Sequence, residues 1–471
     1  MDPNLPAAAK VSARAALIDL AQIALWTLLA EWLLPPGGHF HLDEAVLYDH
    51  ALQVARTLHL AAYGTPASTT GVLAAGGAQV NLLAPAFFFA RDPIAGARWV
   101  VLLSAIGVFA FDRALGRLAV APFFRVAAVT LLLWSRWHAA FADRMWPPHL
   151  LLFAVPLLLW LSAALLTASR GRGPLALAWG ATAATVLQLH GSGTVAVALC
   201  FLLLLPAEDG GGLSPRLFPA ALLGVIVAYA PYLVAEWPKF ANLRAWIAPG
   251  LRPRLDWTAL RLGVESFAIL PSHAAASMPG HLGSGVLGAA QPLTFWIAAA
   301  STPFGFLVRG RWRRPSAAAL VLIPSSLWFS GRGYAHHYVV AAMPFLVLPV
   351  AAGLWFWARR SRELAGLATA YLVAFVGIGA ALMVRDWRLH PPEATLARQE
   401  QIAAALVRAG PDIQLEGSLA ADAIPYEILA RRLSNVELSF GRGVPCALVD
   451  PPPPGNQTPP AGPRFVRCET R

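Results

Sequence analysis

Long apolar runs separated by short polar breaks dominate this sequence. A run of about 20 mostly apolar residues is long enough for one helix to cross a bilayer. The apolar runs occupy residues 15–34, 96–111, 119–135, 148–168, 174–189, 193–206, 217–235, 292–308, 315–330, 338–357 and 364–384. They predict an all-α polytopic membrane protein with about 11 transmembrane helices.

The composition agrees with this prediction. Of the 471 residues, 57% are hydrophobic and 13% are charged, and the mean hydropathy is +0.57. An ordinary globular protein is far less apolar and more charged. The net charge of +11 would suggest nucleic-acid binding in a soluble domain, but here the arginines cluster in the breaks between runs. We therefore expect membrane lipids, and no nucleic acid, among the partners.

Basic residues indicate which breaks face the cytoplasm. Every second break is rich in arginine: Arg113 and Arg117; Arg170 and Arg172; Arg309, Arg311, Arg313 and Arg314; Arg359, Arg360 and Arg362. Lys10 and Arg14 precede the first run, so the positive-inside rule places the N-terminus in the cytoplasm. The remaining breaks then share the other face, with a first outer loop over residues 35–95 and a long outer loop over residues 237–291.

The composition changes after the last apolar run. Residues 389–471 carry charges at the frequency of a soluble protein. A helix-like stretch and four short alternating segments follow one another there, at residues 393–409, 413–415, 436–440, 447–449 and 464–467. We therefore predict a transmembrane domain over residues 1–388 and a small extracytoplasmic α/β domain over residues 389–471. Cys446 and Cys468 could pair there if that compartment is oxidising.

Two adjacent carboxylates, Asp43 and Glu44, follow directly on the first apolar run. Ionisable groups near the hydrocarbon cost free energy and often mark a reaction site or a substrate path. Acidic residues also suit the first turn of a helix, where they complement the helix dipole. In that second interpretation, residues 43–60 form an amphipathic helix that lies on the bilayer.

The second outer break concentrates charge around two tryptophans. It contains Arg136, His138, Asp143, Arg144 and His149. Tryptophans are typical of a membrane interface, but an interface does not explain a carboxylate and two guanidiniums within one or two turns of each other. The alternative interpretation is an Arg–Asp ion pair that anchors the loop.

Histidines collect at three other outer positions. His190 lies where one span should end and the next begin, so its imidazole would lie at the membrane surface; it could also be a satisfied helix-end residue. Glu265 and His273 are further candidates in the long outer loop. The densest group, Arg332, Tyr334, His336 and His337, precedes a late span.

A guanidinium makes bidentate, charge-assisted contacts with phosphate oxygens, so Arg332 and Tyr334 could bind a phosphate. The alternative for this late group is an aromatic belt with a snorkelling arginine. The outer face thus offers carboxylates that can take a proton from a hydroxyl, and Arg, Tyr and His groups that can stabilise a departing phosphate. This pairing suits glycosyl transfer from a lipid-phosphate sugar, and it would also suit an anion pathway.

Several segments resemble motifs of the GT-C superfamily of polytopic glycosyltransferases. The resemblance is greatest to bacterial members related to the protein O-mannosyltransferases and the lipid A aminoarabinose transferases. The segments are His41-Leu-Asp43-Glu44-Ala, Arg144-Met-Trp-Pro-Pro-His-Leu-Leu, Gln188-Leu-His190 and Tyr334-Ala-His-His-Tyr338 to Pro344. The consecutive prolines usual after the position of Asn81 are absent, and Pro148 replaces an Asn-Pro order.

The resemblance implies inverting transfer of a sugar from a polyprenyl-phosphate monosaccharide, outside the cytoplasm, at the inner (plasma) membrane. The acceptor would be a hydroxyl of a lipid, glycan or protein. Asp43, Glu44 and Asp143 would be catalytic, and Arg332, Tyr334, His336, His337 and Arg144 would bind the donor phosphate. His190, Arg136, His138 and Glu265 are further candidates. The sequence has no DxD pair, which favours a reaction without a cofactor or metal, although some members use a divalent cation.

Two other functions stay open at this point. A transporter or flippase for an anionic lipid or solute would use the outer charged groups as a gate, but it would need polar residues through the span interiors, which are largely apolar here. The missing double proline also leaves room for a non-catalytic GT-C-fold assembly subunit.

Overall fold

The protein is described from a computed structural model. The described residues are 5–33, 40, 42–66, 73–141, 144–206, 212–247, 257, 270–274, 285–329, 336–388, 396–409, 414–415, 426, 428–431, 447–449 and 464–466.

Helices make up most of the described chain. The α-helices are α1 Leu5–Leu33, α2 Leu42–Thr57, α3 Ala78–Leu83, α4 Pro93–Arg117, α5 Pro122–Leu133, α6 Arg136–Phe141, α7 Pro147–Thr167, α8 Arg172–Leu189, α9 Gly193–Leu204, α10 Phe218–Glu236, α11 Ala241–Ile247, α12 Val286–Gly305, α13 Arg313–Phe329, α14 Met343–Ala358, α15 Arg362–Arg388 and α16 Leu396–Ala409. Short 3-10 helices are η1 Ala84–Phe87, η2 Pro215–Leu217 and η3 His336–Ala342.

A helix lies at each of the predicted apolar runs. Within the described residues, 6 helices are long and apolar enough to cross a membrane: Ala13–Leu33, Pro93–Arg117, Pro147–Thr167, Pro215–Glu236, Tyr338–Ala358 and Arg362–Arg385. The chain is therefore a multi-pass, helical membrane protein, as predicted, and a total of about 11 spans stays a prediction. Proline at the first helical position begins α4, α5 and α7, where its missing N–H costs no hydrogen bond.

Small residues let several helix pairs approach closely. α8 packs on α10, α4 on α7, and α12 on α14. A Cβ at Gly180 would meet the carbonyl of Ala221, and one at Gly224 would meet the carbonyl of Leu177, so α8 and α10 touch through their backbones. Because lipid is as apolar as a leucine side chain, such close backbone packing is a main source of helix association in membranes.

The amphipathic helix α2 packs against protein and does not lie with its apolar side on lipid. Its apolar residues Ala45, Leu47, Tyr48 and Ala51 are all 0% exposed, and they cover α3 and η1. The hydroxyl of Tyr48 donates to the carbonyl of Arg91 at 2.6 Å. The apolar side of α2 therefore forms a small hydrophobic core with α3 and η1 inside the first outer loop.

The C-terminal segment has the predicted mixture of helix and strand. The strands β3 Gln414–Leu415, β4 Ala447–Val449 and β5 Arg464–Val466 form a sheet in the order β3-β4-β5, with β3 and β4 parallel and β4 and β5 antiparallel. The predicted strand at 436–440, Cys446 and Cys468 lie outside the described residues. The domain boundary at residue 389 stays a prediction; Arg431 lies 3.9 Å from Asp49 of α2, so the segment packs beside the first outer loop.

A buried charged cluster joins α1, α4 and α5, and the sequence analysis did not identify it. Arg125 is nearly buried and donates to Asp112 through Nε and through Nη2, the latter at 2.7 Å. Its Nε also lies 3.5 Å from Asp19. Gln22 donates to Asp19 at 2.9 Å, and Arg113 donates to Asp112 at 2.7 Å. Opposite charges thus meet inside the bundle, toward the end away from α2.

Candidate active site

Asp43 and Glu44 lie in the first turn of α2. Asp43 is half-buried, and Glu44 is buried at 4% exposure. The indole Nε1 of Trp146 donates a hydrogen bond to Asp43 Oδ2 at 2.8 Å. This hydrogen bond holds one carboxylate oxygen and so fixes the orientation of the Asp43 side chain. A general base needs a fixed orientation of this kind. The acidic first turn also complements the dipole of α2, so the capping interpretation applies at the same time.

Contacts in the segment before α7 orient the indole of Trp146 toward Asp43. The carbonyl of Arg144 accepts from the backbone N–H of Trp146 at 2.9 Å and from Nδ1 of His149 at 3.0 Å. The rings of Trp146 and His149 meet edge to face with centroids 5.3 Å apart. Arg144 itself is half-buried, and Asp143 lies outside the described residues. The sequence predicts an interfacial position for Trp146 but not this hydrogen bond, because its partner is 103 residues away along the chain.

We expect Trp146→Phe to reduce the rate of the chemical step about tenfold, since a hydrogen bond to a charged group is worth roughly 1.5–3 kcal/mol. Phenylalanine keeps an aromatic ring beside His149 but removes the N–H that holds Asp43. Single-turnover transfer with protein in excess over labelled donor would measure this, and the steady-state donor KM should be unchanged. An unaltered rate would show that Trp146 does not position Asp43.

The first outer loop is attached to the end of α8 by a pair of glutamines. Gln79 Nε2 donates to the carbonyls of Gln188 and Leu189 at 3.3 and 3.0 Å, and Gln188 Oε1 accepts from the N–H of Ala78 at 3.2 Å. A Cβ at Gly76, where φ is +103°, would overlap the side chain of Gln188. Glycine is therefore required at this turn both for its backbone angle and for space.

His190 lies at the turn between α8 and α9, as predicted. Its Nδ1 accepts from the N–H of Ser192 at 3.2 Å, and its ring lies beside that of Tyr338 with centroids 5.4 Å apart. His336 and His337 begin η3 immediately before Tyr338, and η3 packs against α7. The structure thus brings His190 to the start of η3. Arg332 and Tyr334 lie outside the described residues.

Arg136 and His138 are buried at 0% and 1% exposure. Arg136 Nη1 donates to the carbonyl of His273 at 3.2 Å, and His273 Nε2 donates to the carbonyl of Phe375 in α15 at 3.0 Å. His273, in the described residues 270–274 of the long outer loop, therefore lies between α12 and α15. Arg136 is thus held by the backbone of His273, and His138 meets the ring of Trp26 edge to face with centroids 5.9 Å apart. Glu265 lies outside the described residues.

The two buried histidines predict a pH-dependent stability. Burial lowers the pKa of His138 to about 3 and that of His273 to about 3, so both stay neutral in the folded protein while the unfolded chain takes up protons below about pH 6.5. We expect each to remove about 1 kcal/mol of stability between about pH 6.5 and 5.5. Thermal unfolding measured across that pH range should show the loss of stability, and the loss should be smaller in His273→Gln. If the unfolding temperature falls equally with pH in the wild type and in His273→Gln, His273 does not contribute to the pH dependence.

A second polar contact joins the first outer loop to α10. The strands β1 Tyr63–Pro66 and β2 Leu73–Ala75 form an antiparallel hairpin. Tyr63 Oη donates to Glu236 Oε1 at 2.7 Å, and Glu236 Oε2 accepts from the N–H of Asn242 at 2.9 Å. The pKa of Tyr63 is raised, mainly because its hydroxyl donates to Glu236 and secondly because it is partly buried. Glu236 was not among the candidate residues predicted from the sequence, although a carboxylate at the end of an apolar run often marks a functional site.

Metal ligands need several donor side chains grouped within coordination distance. In the part of the chain that the structure describes, no three His, Cys, Asp or Glu side chains group in this way.

No protein-family model and no curated protein matches the sequence. Solved structures do match. ArnT from Cupriavidus metallidurans without ligand has a TM-score of 0.54 and 14% identity over 90% of this chain and 84% of its own. The same protein bound to undecaprenyl phosphate has a TM-score of 0.54 and 14% identity over 90% and 85%.

The arabinofuranosyltransferase AftD from Mycobacteria has a TM-score of 0.51 and 17% identity over 85% of this chain and 29% of its own. This chain therefore shares its fold with these solved proteins, which confirms the polytopic helical fold expected from its sequence. At these identities the likeness is one of fold, and the function has to be argued from the site.

Proposed function

We propose that this protein is a glycosyltransferase that moves a sugar from a polyprenyl-phosphate monosaccharide to a hydroxyl of a lipid, glycan or protein acceptor. The observation that carries the proposal is the position of Asp43, half-buried at the start of α2 and held by Trp146. It lies in a fold shared with a protein that was solved with undecaprenyl phosphate. The reaction takes place outside the cytoplasm, with the N-terminus inside and the C-terminal segment outside the inner (plasma) membrane.

In the proposed reaction, the acceptor oxygen attacks the anomeric carbon on the side opposite the phosphate. A carbon–oxygen bond forms there while the bond to the phosphate oxygen breaks, and its electron pair leaves with the polyprenyl phosphate. The acceptor proton passes to Asp43. A single displacement of this kind inverts the configuration of the anomeric carbon.

Different carboxylates have different parts in this proposal. Asp43 is accessible enough to meet a hydroxyl, and the N–H of Trp146 holds one of its oxygens. Glu44 is buried beside it at 4% exposure, which suits a supporting position better than contact with the acceptor. Asp143, a few residues before Trp146 in the chain, is a further catalytic candidate.

The phosphate carries one negative charge in the donor and gains a second one as it departs, and preorganised donors stabilise such charge best. We assign this role to Arg332, Tyr334, His336, His337 and Arg144. Two contacts support the assignment. The ring of His190 lies against Tyr338, and η3 packs against α7, which begins directly after Trp146. We propose that the reaction needs no metal, because the sequence has no DxD pair.

Single-turnover transfer by purified protein tests the proposal. A panel of radiolabelled polyprenyl-phosphate monosaccharides would be offered with membrane extract as acceptor, with and without a chelator. We expect label to move from one donor into a new product, and the anomeric configuration of that product to be inverted. Protein that is folded but neither transfers nor hydrolyses any donor would refute the proposal. Movement of an intact donor across a proteoliposome membrane would favour a flippase instead.

A further inference from the structure

An open cleft of about 460 Å³ lies at the C-terminal end of α2. Its walls are the last turns of α2, the connection to β1, and the β1–β2 hairpin. The polar side chains that line it are His50, Gln53, Thr57, His59 and Tyr63. Its volume falls within the range of small-molecule sites, roughly 300–1,000 Å³.

The surroundings of this α2 cleft disfavour an ion as ligand. Among the described residues that line it there is no Asp, Glu, Lys or Arg. The cleft also borders the C-terminal end of α2, where the helix dipole is negative and the last carbonyls lack intrahelical donors. A phosphate would be repelled there, and a cation would find no carboxylate. These conditions favour a neutral ligand that donates hydrogen bonds.

The polar groups of the cleft can form hydrogen bonds with the hydroxyl groups of a ligand. His59 Nδ1 lies 2.9 Å from the carbonyl of Thr57; since a carbonyl can only accept, Nδ1 carries the proton and Nε2 is an acceptor. Tyr63 donates its own proton to Glu236 at 2.7 Å, so its oxygen also accepts from a ligand. The exposed amide of Gln53 offers both a donor and an acceptor.

We propose that the α2 cleft binds a neutral carbohydrate portion of the acceptor. The proposal rests on the proposed glycosyl transfer, because the same helix carries Asp43. His50 follows Asp43 by seven residues, which places it about 10 Å further along α2 and within about 20° of the same face. The cleft would therefore hold a different sugar unit from the one that is glycosylated, which makes the acceptor an oligosaccharide or a glycolipid headgroup.

Saturation-transfer NMR on the full chain in nanodiscs, free of glycosidic detergent, tests the binding. The probes are a neutral β-linked glucose disaccharide and glucose 6-phosphate. We expect transfer to the disaccharide and much less to the phosphate, and at least a threefold loss of the disaccharide signal in the Gln53→Ala/His59→Ala double variant. The matched control is Arg56→Ala, which changes an exposed residue on the same turn that does not line the cleft. Ala62→Trp, which fills the cleft, should give the same loss as the double variant.

An absent disaccharide signal, or an equal signal in the wild type and in both cleft variants, overturns the proposal. The link to transfer is tested separately: the double variant should raise the acceptor KM at least fivefold while the donor KM and the slow hydrolysis of donor stay unchanged. Sugar binding with an unchanged acceptor KM would overturn the acceptor role. Absence of any reaction with donor in the wild type would instead refute the proposed function, and the NMR result would still decide whether the cleft binds sugar.

Discussion

Asp43→Asn should lower the single-turnover rate of sugar transfer by at least about 100-fold, since this is the usual contribution of a positioned general base. The amide oxygen of asparagine can still accept the hydrogen bond that Trp146 donates to Asp43 at 2.8 Å. The geometry of the first turn of α2 is therefore kept, and only the ability to take a proton is lost. Donor binding and the unfolding temperature should remain close to those of the wild type.

Asp49→Asn is the matched control for this variant. Asp49 lies on the same helix and is half-buried, and its ion pair with Arg431 is long at 3.9 Å, so its replacement should leave the rate nearly unchanged. If Asp43→Asn instead lowers the unfolding temperature sharply, Asp43 is mainly a helix cap. If it keeps the wild-type rate, the base is another residue, and Asp143 becomes the next to test.

The largest effect on stability should come from Arg125→Met. Arg125 has a side chain that is 5% exposed, and it is the shared partner of Asp19 and Asp112. Removing the guanidinium leaves two buried carboxylates without their central positive charge, and breaking a buried ion pair costs about 3–5 kcal/mol. Unfolding in detergent solution, followed by tryptophan fluorescence, should show this loss directly.

Arg113→Met provides the comparison, because Arg113 also binds Asp112 but has a side chain that is 40% exposed. Asp112 is 1% exposed and keeps Arg125 as a partner when Arg113 is replaced, so this variant should lose much less stability than Arg125→Met. Adding Asp19→Asn and Asp112→Asn to Arg125→Met should restore part of the stability, since the buried charges then disappear together. Equal effects of the two arginine variants would show that burial does not control the energy of this cluster.

Helix positions could be predicted from the sequence because hydrophobic periodicity and span length are local properties. Each predicted apolar run contains a helix, including the short α9 between His190 and Pro206. The C-terminal helix was expected at residues 393–409 and is found at Leu396–Ala409. The position of α2 was harder to predict from the sequence, because its amphipathic pattern fits a bilayer surface as well as a protein surface. Only the positions of α3 and η1 show that α2 packs on protein.

The sequence also singled out Asp43 as the candidate carboxylate, because it follows a long apolar run and lies in a segment that resembles a known motif. It could not identify what holds that carboxylate, since Trp146 is 103 residues away. Tyr63 and Glu236 are 173 residues apart, and Arg136 and the His273 carbonyl are 137 apart. In each case the separate residues have ordinary explanations at a membrane interface, and only the tertiary structure shows that they are in contact.

The sequence by itself therefore determined that this is a multi-pass helical membrane protein and where its helices lie. These properties follow from the free energy of transferring each segment into lipid, which depends on local composition. Tertiary structure decided which polar side chains meet: Trp146 with Asp43, His190 with Tyr338, and Arg125 with two buried aspartates. Such pairs form because buried polar groups must find partners, and the partners that are available depend on how the helices pack.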